Sequence, residues 1–265
     1  MDNAPWKSLS KDTGTQTEMV YAGQERMEIR SAFSFNPIKI LDIGCANGDV
    51  SAALKKDYPN VYAWGIEINP KSAAHARLKL DRISEKPLDQ FDAAEQNELV
   101  NIDTVLLLDV LEHIYNPWEL LQTLSQHINS DAQVIVSLPN IAHANVFRDM
   151  ADGYWHYQSA GLLDVTHIRF FTQFEMIKMF YETGFKVSHK QHQGDYCADP
   201  EQYQNRSFPV WVDFGNIKII AKDYEHWITL NSRQIIFRLH KAVDSELNEH
   251  ELHLKYSAHP DTKAF

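Results

Sequence analysis

Cysteine is scarce in this chain: 265 residues carry two, Cys45 and Cys197. Two thiols build neither a disulfide framework nor a four-ligand zinc site, and a reducing cytoplasm is the expected compartment. Glycine and proline number 10 each, too few for a collagen-like or low-complexity chain. No stretch comes near 18 consecutive apolar residues, so no membrane span is expected. The opening Met1-Asp2-Asn3-Ala4-Pro5-Trp6-Lys7 lacks the basic and apolar regions of a secretory signal. Positive charge is in deficit as well: 25 Lys and Arg stand against 36 Asp and Glu, a net charge of −11. An acidic surface gains nothing from a phosphate backbone, which disfavours nucleic-acid partners. One small basic pocket for an anionic substrate stays compatible with that total.

What is present is a core-forming balance, 44% apolar and 23% charged. Residues 1–16 read as a loose arm and 17–33 as an amphipathic helix. Short apolar runs follow at 38–43, 61–68, 102–108 and 133–138, separated by helical patterns at 49–56, 70–80 and 118–127. Continuous apolar strands alternating with helices predict a doubly wound α/β fold around a buried parallel sheet. Beyond 140, helices are expected at 145–152 and 173–183, and strands at 185–189 and 233–239. The aromatic stretch 194–228, with Tyr196, Tyr203, Phe208, Trp211 and Phe214, is too long for an ordinary connection and reads as an inserted cap. The resulting division is an N-terminal arm and helix over 1–36, the main domain over 37–243, and a polar tail over 244–265.

The first run ends in Asp42-Ile43-Gly44-Cys45-Ala46-Asn47-Gly48. A glycine turn at a strand's carboxyl end is where open α/β sheets bind ligands. Glu67 stands 19 positions after Gly48, the distance at which an acid meets ribose hydroxyls in such folds. A dinucleotide fingerprint G-x-G-x-x-G starting at Gly44 would need glycine at 46 and 49, where Ala46 and Asp49 stand. The acid at 49 opposes a pyrophosphate, so nicotinamide and flavin dinucleotides fit poorly. A ribose-bearing ligand with a cationic end fits an acid-lined turn better.

The run 40–48 resembles the first motif of class I S-adenosylmethionine-dependent methyltransferases, D-x-G-x-G-x-G, with Ala46 at the middle glycine. Glu67 matches the family's ribose-binding acid, and Asp109-Val110-Leu111-Glu112-His113 resembles its D-V-L-E-H block. The resemblance spans about 40–240 of the chain. It implies a Rossmann-like, seven-stranded, mostly parallel sheet with helices on both faces and the inserted cap before the last strand. It also implies S-adenosylmethionine as cofactor, held by Asp42, Gly44, Cys45, Ala46, Gly48, Glu67, Ile68 and Asp109. The family's adenine-contacting acid falls on Asp89 or Asp92.

On the acceptor side, Asp164-Val165-Thr166-His167-Ile168-Arg169-Phe170-Phe171-Thr172 resembles a block of methyltransferases encoded among glycan and O-antigen biosynthesis enzymes. Methyl transfer to a hydroxyl or amine needs alignment and a base near the acceptor proton. The expected catalytic set is His167 as base, Asp164 orienting it, and His143 near the transferred methyl. Arg169, His113 and Tyr154 are expected to bind the substrate, with Arg169 either gripping an anion or pairing with Asp164. Asp109, Glu112 and His113 on one helical face could jointly hold a divalent ion, but a structural reading of these residues is preferred and no metal is assigned. The expected function is methylation of a small molecule or an activated glycan; a cofactor-binding regulator without turnover is the rival reading. A homodimer is left open.

Overall fold

The computed structural model describes residues 23–194 and 206–242. Strands β1 (Lys39–Ile43), β2 (Tyr62–Ile66), β3 (Arg82–Ser84), β4 (Thr104–Leu108) and β5 (Gln133–Pro139) pair in parallel. They are followed by β6 (Phe185–Gln193), a hairpin of β7 (Val210–Asp213) and β8 (Lys218–Ala221), and β9 (Gln234–Lys241). The main sheet has seven strands in the order β3-β2-β1-β4-β5-β9-β6, with β9 antiparallel to both its neighbours. The helices are α1 (Asp49–Asp57), α2 (Pro70–Ala76), α3 (Ala93–Glu98), α4 (Pro117–His127), α5 (Ala144–Ala151), α6 (Gln173–Glu182) and α7 (Tyr224–Leu230). None of them is long and apolar enough to cross a membrane.

Successive strand residues point to opposite faces, and both faces are covered. Leu41, Val105, Leu107, Val134, Val136 and Phe237 join Leu121 and Leu124 of α4 and Met176 and Phe180 of α6. The alternate residues Ile40, Leu106, Ile135 and Ile236 join Leu54 of α1 and Ile29. This double burial explains why the strands read as continuous apolar runs. Asn69 and Pro70 start α2 as the sequence suggested: the Asn69 side chain accepts from the Lys71 and Ser72 N–H groups.

Two expectations change. Over 23–33 the chain forms a short 3-10 turn, Met27–Ala32, instead of an amphipathic α-helix; residues 17–22 lie outside the described residues. Arg26, just before the turn, has φ +45°, a left-handed conformation that a helix does not tolerate. Its side chain reaches Asp109, after β4, and Ser137 of β5 at the middle of the sheet. The insertion before β9 folds as the β7–β8 hairpin plus α7 around its own small core of Val212, Ala221 and Trp227. Phe208 and Phe214 pack against that core, and Trp211 is exposed, so two of these aromatics serve the insertion's own packing. Tyr196, Tyr203 and the 244–265 tail lie outside the described residues.

The parallel strands bring 44–48, 67–69, 109–113 and 140–145 to one edge of the sheet. The order reverses between β1 and β4, and a crevice at such a switch point is where doubly wound sheets bind ligands.

Candidate functional site

The turn after β1 is built on left-handed backbone: Gly44 at φ +70°, Ala46 at +46° and Gly48 at +74°. Gly44 and Cys45 donate their N–H groups to Ile66 O at 2.8 and 3.1 Å, which ties the turn to the end of β2. Glu67 then leans onto it. Its Oε2 accepts from Ala46 N at 2.9 Å and its Oε1 from Asn69 N at 2.7 Å. A carboxylate has about four acceptor positions, so capacity remains on both oxygens. Burial pushes the Glu67 carboxyl up, and backbone N–H groups pull it back. Ile68 beside it is exposed, an apolar surface next to the acid.

Asp42 is buried and accepts from Ser51 Oγ of α1 at 2.6 Å. Burial, helped by the nearby Glu67 charge, raises its carboxyl to about 7, against the opposing pull of the Ser51 hydroxyl. The Asp42–Ser51 bond ties β1 to α1. Two further details correct the sequence reading. A side chain at Gly44 would meet Val110 Cγ2 at 2.7 Å, so the bare glycine also makes room for the loop after β4. Cys45 turns its thiol into a cluster with Ala63, Ala76 and Leu80. Burial raises that thiol's pKa, and only the backbone of Cys45 belongs to the turn. Gly48 lies against Ala76 and Leu80, where it lets α1 and α2 approach.

Asp109 has φ +57° and gathers groups from three other segments. Its carboxylate accepts from Arg26, from Gln234 of β9 and, at 3.5 Å, from Ser137 Oγ of β5. Arg26 Nη2 also donates to Ser137 Oγ at 2.9 Å, and Arg26 Nε to Glu28 at 2.5 Å. Arg26, Ser137 and Gln234 were missed by sequence reasoning. Their only sequence signal is position: Ser137 and Gln234 stand at the ends of paired strands, and Arg26 sits in a stretch that read as helix.

The acceptor side is stitched from two distant segments. Ile168 N and Arg169 N donate to Glu112 O at 3.0 and 3.1 Å. His113 Nδ1 lies 3.2 Å from Thr166 O and 3.2 Å from Thr166 Oγ1, and His167 Nδ1 lies 3.2 Å from Leu162 O. The two imidazoles meet edge to face with centroids 4.8 Å apart. Glu112 is 1% exposed, and neither of its carboxylate oxygens receives a hydrogen bond from any described residue. Its Oε1 is 3.9 Å from His167 Nε2. Burial, reinforced by the Asp109 charge, holds Glu112 well above the usual carboxylate range. Burial and neighbouring His113 lower His167, keeping that ring neutral near pH 7.

Several expected roles do not fit this geometry. Asp164 does not orient His167; its Oδ1 accepts from Thr166 N at 2.8 Å and Thr166 Oγ1 at 2.7 Å, and the Leu162 carbonyl holds the ring instead. His143 is 1% exposed and caps α5, its Nδ1 accepting from Asn145 N at 3.2 Å. Arg169 directs Nε and Nη2 at Tyr115 O, at 3.1 and 2.5 Å, and among the described residues its hydrogen bonds and ion pairs do not include Asp164. Tyr154 is exposed and stacks on His156 at 5.1 Å. Asp92 caps α3 in a reciprocal box with Glu95, and Asp89 is exposed. The residues 111–113 form a 3-10 turn, not a helix face, and Asp109 points to Arg26. Glu112 and His113 are therefore joined by His167 and not by Asp109.

A family model described as a methyltransferase domain matches residues 21–190. No curated protein matches the sequence significantly. Among solved structures, an S-adenosylmethionine-dependent methyltransferase of Archaeoglobus fulgidus is similar at TM-score 0.54 and 14% identity, covering 85% of this chain and 98% of that one. A second such enzyme, of Thermotoga maritima, scores 0.53 at 14% identity over 85% and 91% of the two chains. The magnesium protoporphyrin IX methyltransferase of Synechocystis, solved with S-adenosylhomocysteine bound, scores 0.51 at 12% identity over 89% and 93%. These likenesses show the fold. Glu67 keeps acceptor capacity beside the bare backbone of the turn, as a ribose-bearing ligand requires. The family match and the turn agree, and the chain belongs to the methyltransferase-domain family, with S-adenosylmethionine as its cofactor.

Proposed function

We propose that the chain methylates a hydroxyl or amine of a small molecule or activated glycan, such as a sugar nucleotide or phosphorylated precursor. The observation that carries this reading is the contact between the two half-sites. Val110 packs at Gly44 in the cofactor turn, and the Glu112–His113–His167 cluster begins two residues further on. Backbone of Gly44, Ala46 and Gly48, the Glu67 carboxylate, Ile68 and the Asp109 junction form the cofactor wall. S-adenosylmethionine supplies an electrophilic methyl there when bound. The chain's own part is to orient the acceptor and exclude water. Tyr115, Tyr154, Trp155, Tyr157 and Ile168 are exposed, and Trp155 reaches the cluster through Phe170, which packs on His167. Exposed apolar patches mark ligand or partner contacts, and flat aromatic faces suit the apolar side of a sugar ring.

The test has two stages. Calorimetry should show one S-adenosylhomocysteine bound per chain. Glu67→Ala should weaken it at least tenfold, since each charge-assisted hydrogen bond is worth about 1.5–3 kcal/mol. Transfer of a labelled methyl to a panel of sugar nucleotides and phosphorylated small molecules should then pick out an acceptor class. Normal cofactor binding without transfer to any member would favour the regulatory reading, and no cofactor binding would end both.

A further inference from the structure

We propose that Glu112, His113 and His167 form a divalent-cation site at the acceptor end of the crevice. Among the described residues this is the set of His, Cys, Asp and Glu side chains whose donor atoms come close enough, all within 4.8 Å of one another. Three independent features of the cluster point to a cation. First, both histidines place Nδ1 against backbone carbonyls, Thr166 O and Leu162 O. A ring held this way donates from Nδ1 and presents a bare Nε2 lone pair, the arrangement by which proteins orient metal-binding imidazoles. Second, the Glu112 carboxylate is buried beside them with no hydrogen bond to either oxygen from any described residue. A buried carboxylate in that state is costly, and pairing with a metal is one of the few ways proteins compensate it. Third, the residue that could have neutralised it, Arg26, is committed to Asp109 and Glu28.

Bonds of about 2.0–2.2 Å put tetrahedral donors about 3.4 Å apart, so donors now within 4.8 Å of one another, 3.9 Å from His167 Nε2 to Glu112 Oε1, close on an ion by small side-chain rotations. Two imidazoles and one carboxylate suit Zn2+, Mn2+ or Fe2+ better than Ca2+. Three protein ligands leave positions open for an outside oxygen. The role in transfer rests on the methyltransferase reading: the cation binds an acceptor hydroxyl, lowers its pKa and holds the oxygen. The hydroxyl proton goes to water, the oxygen–carbon bond forms as the carbon–sulfur bond breaks, and the sulfonium leaves as a neutral thioether. That favours a hydroxyl over an amine as the acceptor.

The experiment titrates MnCl2 and ZnCl2 into the full chain after chelator stripping, followed by calorimetry. One ion per chain is expected, with affinity reduced at least tenfold in Glu112→Gln and in His113→Ala. S-adenosylhomocysteine should bind all three proteins equally. A parent chain that takes up no ion, or variants that bind the ion like the parent, overturn the site. Should Glu112→Gln fail to fold, His113→Ala carries the same decision because its ring is only partly buried. Ion binding without S-adenosylhomocysteine binding would sink the methyltransferase reading and leave the cation site standing; the converse would do the reverse.

Discussion

The cofactor turn and the histidine cluster share one edge of the sheet but are assembled differently. The turn is local. Residues 42–51 and 67–69 supply it, and adjacent parallel strands β1 and β2 hold the pieces in register. Its shape comes from backbone, with three left-handed residues and two N–H groups anchored on one carbonyl. The cluster is non-local. His113 meets Thr166 across 53 positions, and side chains and loop carbonyls set its geometry. A backbone-built site tolerates few substitutions at its glycines, whereas a side-chain-built site depends on who neighbours whom in space.

The strongest way to break this comparison is at Gly44. Alanine there should cost about 2–4 kcal/mol, the sum of a left-handed non-glycine residue and overpacking against Val110. In a Val110→Ala background the overpacking part should vanish and roughly half the cost return. Urea unfolding of the four proteins measures both. If Val110→Ala brings no relief, the contact across the two half-sites is not what the glycine serves.

The difference between the halves also explains what the sequence made legible. The glycine turn, Glu67 and six strands were readable because each is encoded in a contiguous stretch: an apolar run, a turn residue, an acid at fixed spacing. Strand β9 was readable as a strand, yet nothing local told that it runs antiparallel between β5 and β6. At the acceptor side residue types were readable and roles were not. Asp164 and His167 are three apart and read as a dyad, but Thr166 takes the carboxylate and Leu162 takes the ring. His143 read as an acceptor-side residue because it follows a strand end, and its side chain caps a helix. Glu112 gave no signal beyond its block, since its isolation depends on Arg26 choosing Asp109, 83 residues away.

Asp42 sharpens the comparison through pH. Its carboxyl is raised by burial to about 7, whereas an ordinary aspartate titrates near about 4. Folding therefore takes up a proton at Asp42 between those values, and its contribution to stability falls as pH rises through that window and is level above it. Asp42→Asn removes the ionisation and keeps an oxygen for the Ser51 hydroxyl. Relative to the parent, the variant should gain about 2 kcal/mol between about pH 5 and about pH 8. Denaturant midpoints at the two pH values test this, and a pH-independent difference would mean that Asp42 is ionised in the folded chain.

His143 separates structure from chemistry on the acceptor side. His143→Ala removes a side-chain cap from α5, and cap losses cost typically about 1 kcal/mol. A fall of about 1–2 kcal/mol in stability is expected, with S-adenosylhomocysteine affinity and Mn2+ affinity unchanged. A selective loss of either affinity at full stability would return His143 to the site.

The smallest expected effect is at Ala46, and it has the opposite sign. Ala46 holds φ +46° in the turn where the resembling motif carries glycine. Left-handed backbone costs an alanine roughly 1 kcal/mol or more, while a glycine loses more chain entropy on folding by about 0.5–1 kcal/mol. The two terms nearly offset, so Ala46→Gly should raise stability by no more than about 1 kcal/mol, or about 2–4 °C in melting temperature for a domain of this size. The strain is kept in place by neighbours: Ala46 N–H is held by Glu67 Oε2 at 2.9 Å. In a Glu67→Ala background that restraint is gone, and alanine at 46 is free to relax toward a negative φ. The gain from glycine should then shrink toward zero. Scanning calorimetry of the parent, the two single variants and the double variant gives the coupling directly. An undiminished gain in the Glu67→Ala background would show that the chain path of the turn alone, without the acid, imposes the left-handed conformation.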